Sequence, residues 1–252
     1  VRHGHRLLGI GLLLALLGLW QVSAQNWVDS PNWPPVSDIL RALAAGLGSG
    51  ELPGVFASTL WRMAVGFCLG TVTGIGLGMA MASLPIADAA LTPLVELLRP
   101  IPIPAIVPPL ILLLGIDDAM KIFVVSFACF FPVLVNTVSG VRAVDPAALD
   151  TARTLQVGRL RTMLKVVLPA SLPYVLAGMR TSLALALIVS VVAEMIAGSE
   201  GIGYYIMTMQ YAMRASDMYA AIFLLAAVGY CLNLALLGVE RWLLHWWHRE
   251  NL

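Results

Sequence analysis

Apolar residues in this chain gather into long runs instead of alternating with polar ones. Six runs approach the roughly 20 mostly apolar residues a helix needs to cross a hydrocarbon layer about 30 Å thick. They cover residues 7–24, 55–82, 101–116, 122–140, 172–197 and 219–240. The third is short and interrupted by prolines. The pattern predicts an all-α membrane protein, a polytopic bundle of about six transmembrane helices forming a single unit over residues 1–252. Residues 1–54 supply a first helix and an external connector, 55–240 a core bundle that includes a loop at 141–170, and 241–252 a tail. The connector is marked by Trp27, Pro31, Trp33, Pro34 and Pro35, and an amphipathic stretch at 37–47 should lie along the outer surface.

Composition agrees with a lipid solvent: 60% of residues are hydrophobic and 12% charged, which excludes an ordinary water-soluble domain. The formal charge of +1 leaves no broad basic face for nucleic acid. With the N-terminus placed in the cytoplasm, every Lys and Arg except Arg41, Arg62, Lys121 and Arg214 falls on or near the cytoplasmic side. This is the positive-inside asymmetry of an inner-membrane protein, and it puts both termini in the cytoplasm. Trp242, His245, Trp246, Trp247 and His248 then form an interfacial anchor beside a basic tail. Val22-Ser23-Ala24 after Arg2 and Arg6 resembles a signal-peptide cleavage site, but the apolar run is longer than a usual h-region and reads as a retained span.

Catalytic chemistry has few places to sit. Lys121 and Lys165 are the only lysines and neither follows a GxxxxG stretch, so the chain has no phosphate-cradling loop. His3, His5, His245 and His248 lie at the chain ends, which removes intramembrane Ser-His or Cys-His dyads and HExxH zinc chemistry. Cys68, Cys129 and Cys231 are far apart in apolar runs and read as packing residues, not metal ligands. An enzyme is not expected, and no cofactor is expected in this chain.

Several features depart from plain lipid-facing helices. Gly66, Gly70, Gly74 and Gly78 recur every fourth residue and so share one helix face. The simple reading is close helix packing; the alternative is a ridge on which a neighbour slides. Arg99-Pro100-Ile101-Pro102-Ile103-Pro104 cannot continue a regular helix, and this stretch and Pro108-Pro109 should be sheltered inside the bundle. Glu96 and Arg99, at i and i+3, are placed to pair. Glu194 is the one acid deep in a spanning run, so it should face a cavity, a partner group or an interface, or make a structural hydrogen bond near the outer helix end. Glu194, Asn136, Ser190, Pro102 and Pro104 are the candidate pathway residues.

The richest local grammar lies between Asp145 and Pro173. Asp145-Pro146 is an N-cap followed by proline at the first helical position, so a short helix should start there and run through Leu155. Leu149, Ala152 and Leu155 make an apolar strip at spacing three, surrounded by Asp150, Arg153, Arg159, Arg161 and Lys165. Such a helix fits a groove on another protein; it would also rest on anionic lipid. Pro169 and Pro173 should close the loop before the fifth span.

The stretch Asp150-Thr151-Ala152-Arg153-Thr154-Leu155-Gln156-Val157-Gly158-Arg159, followed by Val166-Val167-Leu168-Pro169, resembles the EAA loop of permease subunits of bacterial ABC importers. Residues 62–78 (RMAVGFCLGTVTGIGLG), 93–104 (PLVELLRPIPIP) and 193–205 (AEMIAGSEGIGYY) are similar to the branch that handles nitrate, sulfonates and taurine. In this likeness Asp150 stands at the family's Glu, Thr151 and Ala152 at its two alanines, and Val166, Leu168 and Pro169 at the closing hydrophobic-x-Leu-Pro. Gln156 occupies the usual glycine and Gly158 comes two places later, which implies a reshaped turn.

The resemblance implies a type I (MetI-like) permease fold and a homodimer of this subunit. It also implies that each EAA helix, from Leu149 to Arg159, is seated on one of two ATPase subunits that bind ATP and Mg, with an external solute-binding protein delivering the solute. ATP binding would then shift the bundle between inward-open and outward-open populations. The competing reading is an ion-coupled secondary carrier in which Glu194 carries a proton.

Overall fold

The computed structural model describes residues 2–244, with side chains from Leu8 onward. The rings and charges from His245 to Arg249, and the side chains of Arg2, His3, His5 and Arg6, lie outside the described residues. Among the described residues all regular structure is helical: α1 (Arg2–Asn26), α2 (Val36–Gly48), α3 (Glu51–Ser83), α4 (Pro85–Leu98), α5 (Ile103–Leu114), α6 (Asp118–Arg142), α7 (Pro146–Thr154), α8 (Arg159–Thr162), a π-helical turn (Met163–Val167), α9 (Leu168–Ala197), α10 (Ile202–Tyr211) and α11 (Ala215–Leu243). Five stretches are long and apolar enough to cross a membrane: Leu8–Asn26, Glu51–Ser83, Asp118–Arg142, Arg159–Ala197 and Ala215–Leu243. The pair α4 and α5, bent by 100°, makes a sixth only if taken together.

That bent pair changes the expected third span. Its first limb, α4, starts at Pro85, well before residue 101, and the prolines that bar a straight helix at Arg99–Pro102 become the bend. With 14 and 12 residues the limbs are about 21 and 18 Å long, each too short for a bilayer core. Pro108 and Pro109 are helical within α5, contrary to an irregular backbone there. Pro102, Pro104, Pro108 and Pro109 are exposed on the single chain and not sheltered by it. No Glu96–Arg99 ion pair forms among the described residues, and both side chains are exposed.

The fifth span also begins earlier than its apolar run. Helix continues from Arg159 through the π-helical turn into α9, so Pro169 and Pro173 lie inside it and do not close a loop. A proline removes its own N–H and collides with the carbonyl four residues earlier; the wider turn at Met163–Val167 lets the chain pass Pro169 without a break.

At the centre α6 lies between α3 and α9, and the three backbones approach through small residues. A Cβ added at Gly66 would lie 2.7 Å from Val125 Cβ, at Gly70 2.5 Å from the Ser126 carbonyl oxygen, at Gly74 2.9 Å from that of Phe130, and at Gly78 2.8 Å from Thr137 Cβ. All four glycines therefore face α6 and are buried against it. Across the α6–α9 contact the Ser182 hydroxyl donates to the Cys129 carbonyl at 2.8 Å, and the Cys129 thiol donates to the Ser182 carbonyl at 3.4 Å. Cys129 thus packs in the core, whereas Cys68 and Cys231 are exposed.

The periphery is held differently. None of α1 from Leu8 onward is buried, but near its end Trp20 stacks on Trp33 at 4.8 Å and meets Tyr219 and Phe223 edge-on, while its indole N–H donates to the Pro34 carbonyl. The connector therefore clasps α1 to α11 at one end of the bundle, here called the connector end; α7 and α8 mark the other, the hairpin end. At the latter Arg142, closing α6, pairs with Asp88 in the first turn of α4 at 2.7 Å.

Gly70→Leu is expected to destabilise the chain by about 1 to 3 kcal/mol or more, because the new side chain meets α6 backbone that cannot yield. Gly76→Leu, at a glycine with nothing within 4 Å, should be close to neutral. Thermal unfolding of the two purified variants in detergent measures the difference.

Candidate functional site

Two polar constellations stand out, one at each end of the bundle. At the hairpin end the Asp145 carboxylate accepts from Ala147 N–H at 2.9 Å, fixing the start of α7, and Pro146 follows where no N–H is needed. Arg153 pairs with Asp150 at 2.9 Å, and the Thr151 and Thr154 hydroxyls return to backbone carbonyls one turn back. The expected apolar strip divides. Ala152 is buried and Leu149 half-buried, while Leu155, at the C-cap where helical geometry ends, is 70% exposed. Asp150, Thr151, Arg153, Thr154 and Gln156 are exposed with it.

The turn after α7 is a Schellman motif: Gln156 N–H donates to the Arg153 carbonyl and Val157 N–H to that of Ala152, both at 2.9 Å. Its left-handed position is Gln156, with φ +52°. Gly158 has φ −60° and ψ 148°, which any residue adopts, so it does not stand in for the missing glycine. The turn therefore holds a side chain in the left-handed conformation, which carries strain. Gly158 then precedes α8, and Arg159 opens that helix, exposed.

At the connector end Glu194, 1% exposed, is surrounded by donors. Arg62 reaches it from α3 at 3.2 Å, the Thr59 hydroxyl lies 2.9 and 3.0 Å from its two oxygens, and Gly203 N–H donates at 3.1 Å. The Thr59 oxygen also accepts from Ile202 N–H at 2.9 Å. Gly201, which precedes α10, offers no side-chain cap, so the first two amides of α10 are capped remotely by Glu194 and Thr59. Gly201 has φ +100°, and a Cβ there would fall on the Glu194 carboxylate. Glu194 thus meets a partner charge, Arg62, and structural hydrogen bonds from Thr59 and Gly203 together.

Arg62 joins further segments to this point. Its Nε lies 2.5 Å from Asp118 at the start of α6 and its Nη2 3.3 Å from Glu200 in the α9–α10 turn. Lys121 is buried within electrostatic reach of the same acids. Sequence reasoning found Glu194 but not its partners. Arg62 had been placed only by its depth, yet a charge inside an apolar run at the depth of a buried acid of opposite sign is itself a pairing signal.

The other candidate pathway residues do not join Glu194. The Asn136 amide donates to the Pro132 carbonyl on its own helix at 2.8 Å, the Ser190 hydroxyl is buried with no hydrogen-bond partner, and Pro102 and Pro104 are exposed.

A family model described as "Binding-protein-dependent transport system inner membrane component" matches residues 70–248. The chain is 34% identical to a putative aliphatic sulfonates transport permease protein of Bacillus subtilis over 94% of its own length and 87% of that protein's. It is 32% identical to a nitrate import permease protein of Leptolyngbya laminosa, covering 88% of this chain and 82% of the relative. Among solved structures, an inward-facing form of the MetNI methionine ABC transporter aligns at a TM-score of 0.65 with 17% identity, covering 73% of this chain and 92% of that one.

Arg62→Met should lower stability by about 3 to 5 kcal/mol, because it strands a buried carboxylate. Combining it with Glu194→Gln should recover part of the loss, since the amide oxygen still accepts from Gly203; a double-mutant cycle by thermal unfolding reads the coupling. Gln156→Gly should stabilise the chain by about 1 kcal/mol by relieving the left-handed position, measured in the same way.

Proposed function

The chain belongs to the family of binding-protein-dependent transport system inner membrane components, and on that premise we propose that the solute it carries is a small sulfonate-like or nitrate-like anion. It is a permease subunit of an ATP-driven importer, a multi-pass membrane protein that works with ATPase subunits and a solute-binding protein and is not itself an enzyme. The sulfonate and nitrate permeases among its relatives support the solute class.

In the proposed assembly two copies of the chain enclose the pathway. Each presents α7 to one of two ATPase subunits, which hold the ATP and Mg. Both termini face the cytoplasm with the hairpin end, in keeping with Arg142, Arg153, Arg159, Arg161 and Lys165 gathered there. The connector end then faces outward, toward the solute-binding protein.

One observation carries the docking role: α7 is a short helix capped at both ends that turns Asp150, Thr154 and Leu155 away from its own bundle. A leucine 70% exposed beside a carboxylate is suited to a groove on a partner surface. Nucleotide-driven approach of the ATPase subunits would pull these helices and shift the bundle between inward-open and outward-open populations. An ion-coupled carrier built on Glu194 is not favoured, because that carboxylate is engaged by Arg62, Thr59 and Gly203.

Asp150→Arg and Leu155→Asp should each abolish ATP-driven uptake in proteoliposomes of the complete transporter while leaving insertion intact. Uptake at the wild-type rate in both variants refutes the docking role.

A further inference from the structure

A cavity of about 920 Å³ opens at the hairpin end, between the α3–α4 elbow and the α7–α8 hairpin. One wall is apolar and comes from the last turn of α3 and the elbow, including Met79, Ala80 and Leu84. The facing wall carries Leu149, Arg153 and Val157 from α7 and its turn, then Arg159 and Met163. Among the described residues one polar contact, the Ser83 hydroxyl 3.9 Å from the Met163 sulfur, ties the walls directly.

The charge on this cavity has one sign. Among the described residues no acid lines it, whereas two arginines do. Arg153 is engaged with Asp150, but Arg159 makes no ion pair among the described residues, nor do Arg161 and Lys165 in the following turns. The elbow follows directly on the last residue of a 33-residue helix, longer than a hydrocarbon core is thick, so the cavity lies at or beyond the membrane surface, within reach of headgroups. Beside it Leu84 and Ile86 are 54% and 86% exposed, apolar surface suited to acyl chains. The π-helical turn Met163–Val167, with Met163 on the cavity, widens the helix at this level.

We infer that this cavity is a binding site for an anionic phospholipid, its phosphate on Arg159 and its chains along the wall of Met79, Ala80 and Leu84. Basic pockets between spanning helices at the membrane surface select such headgroups, and apolar walls exclude free phosphate as the favoured ligand. Residues 149, 153 and 157 face the cavity, while Asp150, Thr154 and Leu155 do not line it. Lipid and a docked partner therefore use different sides of α7. A bound lipid would fill the gap behind the helix and stiffen it against the elbow.

The test uses the full chain, purified in detergent containing either phosphatidylglycerol or phosphatidylcholine and examined by native mass spectrometry. Phosphatidylglycerol should be retained at least tenfold more than phosphatidylcholine, and millimolar inorganic phosphate should not displace it. Ala80→Trp, which fills the apolar wall, and Arg159→Gln, which removes an exposed charge that makes no ion pair among the described residues, should each lower retention about tenfold. The glutamine variant keeps the test decisive if the tryptophan variant fails to fold. Equal retention of the two lipids, displacement by phosphate, or full retention in the glutamine variant overturns the proposal.

Discussion

Lipid neither drives apolar helices together nor hydrogen-bonds a stray polar group, and this double constraint shapes the bundle. Helices cohere where backbones come close enough for dense van der Waals contact, which is why α6 is bordered by glycine on both sides. Gly66, Gly70, Gly74 and Gly78 of α3 meet one side, and Gly178 of α9 meets Pro132 and Val133 on the other. The reciprocal Ser182–Cys129 bonds add a polar contact that solvent cannot compete for.

The same constraint explains the Arg62 cluster. Glu194 is tolerable at its depth because cation, hydroxyl and amide converge on it, the first two from α3 and the third from α10. Arg62, with carboxylates from α6, α9 and the α9–α10 turn on one guanidinium, therefore fixes how α3, α6, α9 and α10 meet at the connector end. A fork with several donors suits this task; a lysine ammonium could not span the three acids in one plane. The exposed arms to Asp118 and Glu200 contribute little beside the buried one, since water and salt screen them.

The two ends of the bundle are built for different work. The connector end is cross-linked by charge and by the Trp20 clasp, while the hairpin end pairs a stiffly capped helix with a strained turn and a cavity behind it. The strain at Gln156 is local to the hairpin and leaves the core contacts untouched.

Much was legible in the chain itself because its signals are local. Run length marked the long spans, Asp145-Pro146 marked the start of α7, the four-residue glycine period marked a packed face, and the EAA-like motif marked the family. Boundaries moved where prolines allowed two outcomes: Pro100 and Pro102 bend a helix pair, whereas Pro169 follows a π-helical turn into one continuous helix that also contains Pro173. The partners of Glu194 were decided only in three dimensions, since Thr59 and Arg62 lie on α3 and Gly203 on α10, while Glu194 itself is on α9. So was the division of Leu149 and Ala152 from Leu155, which depends on where α7 ends. Spacing along a chain sets which residues share a helix face; which faces meet is set by the packing of several helices at once, and no single segment encodes that.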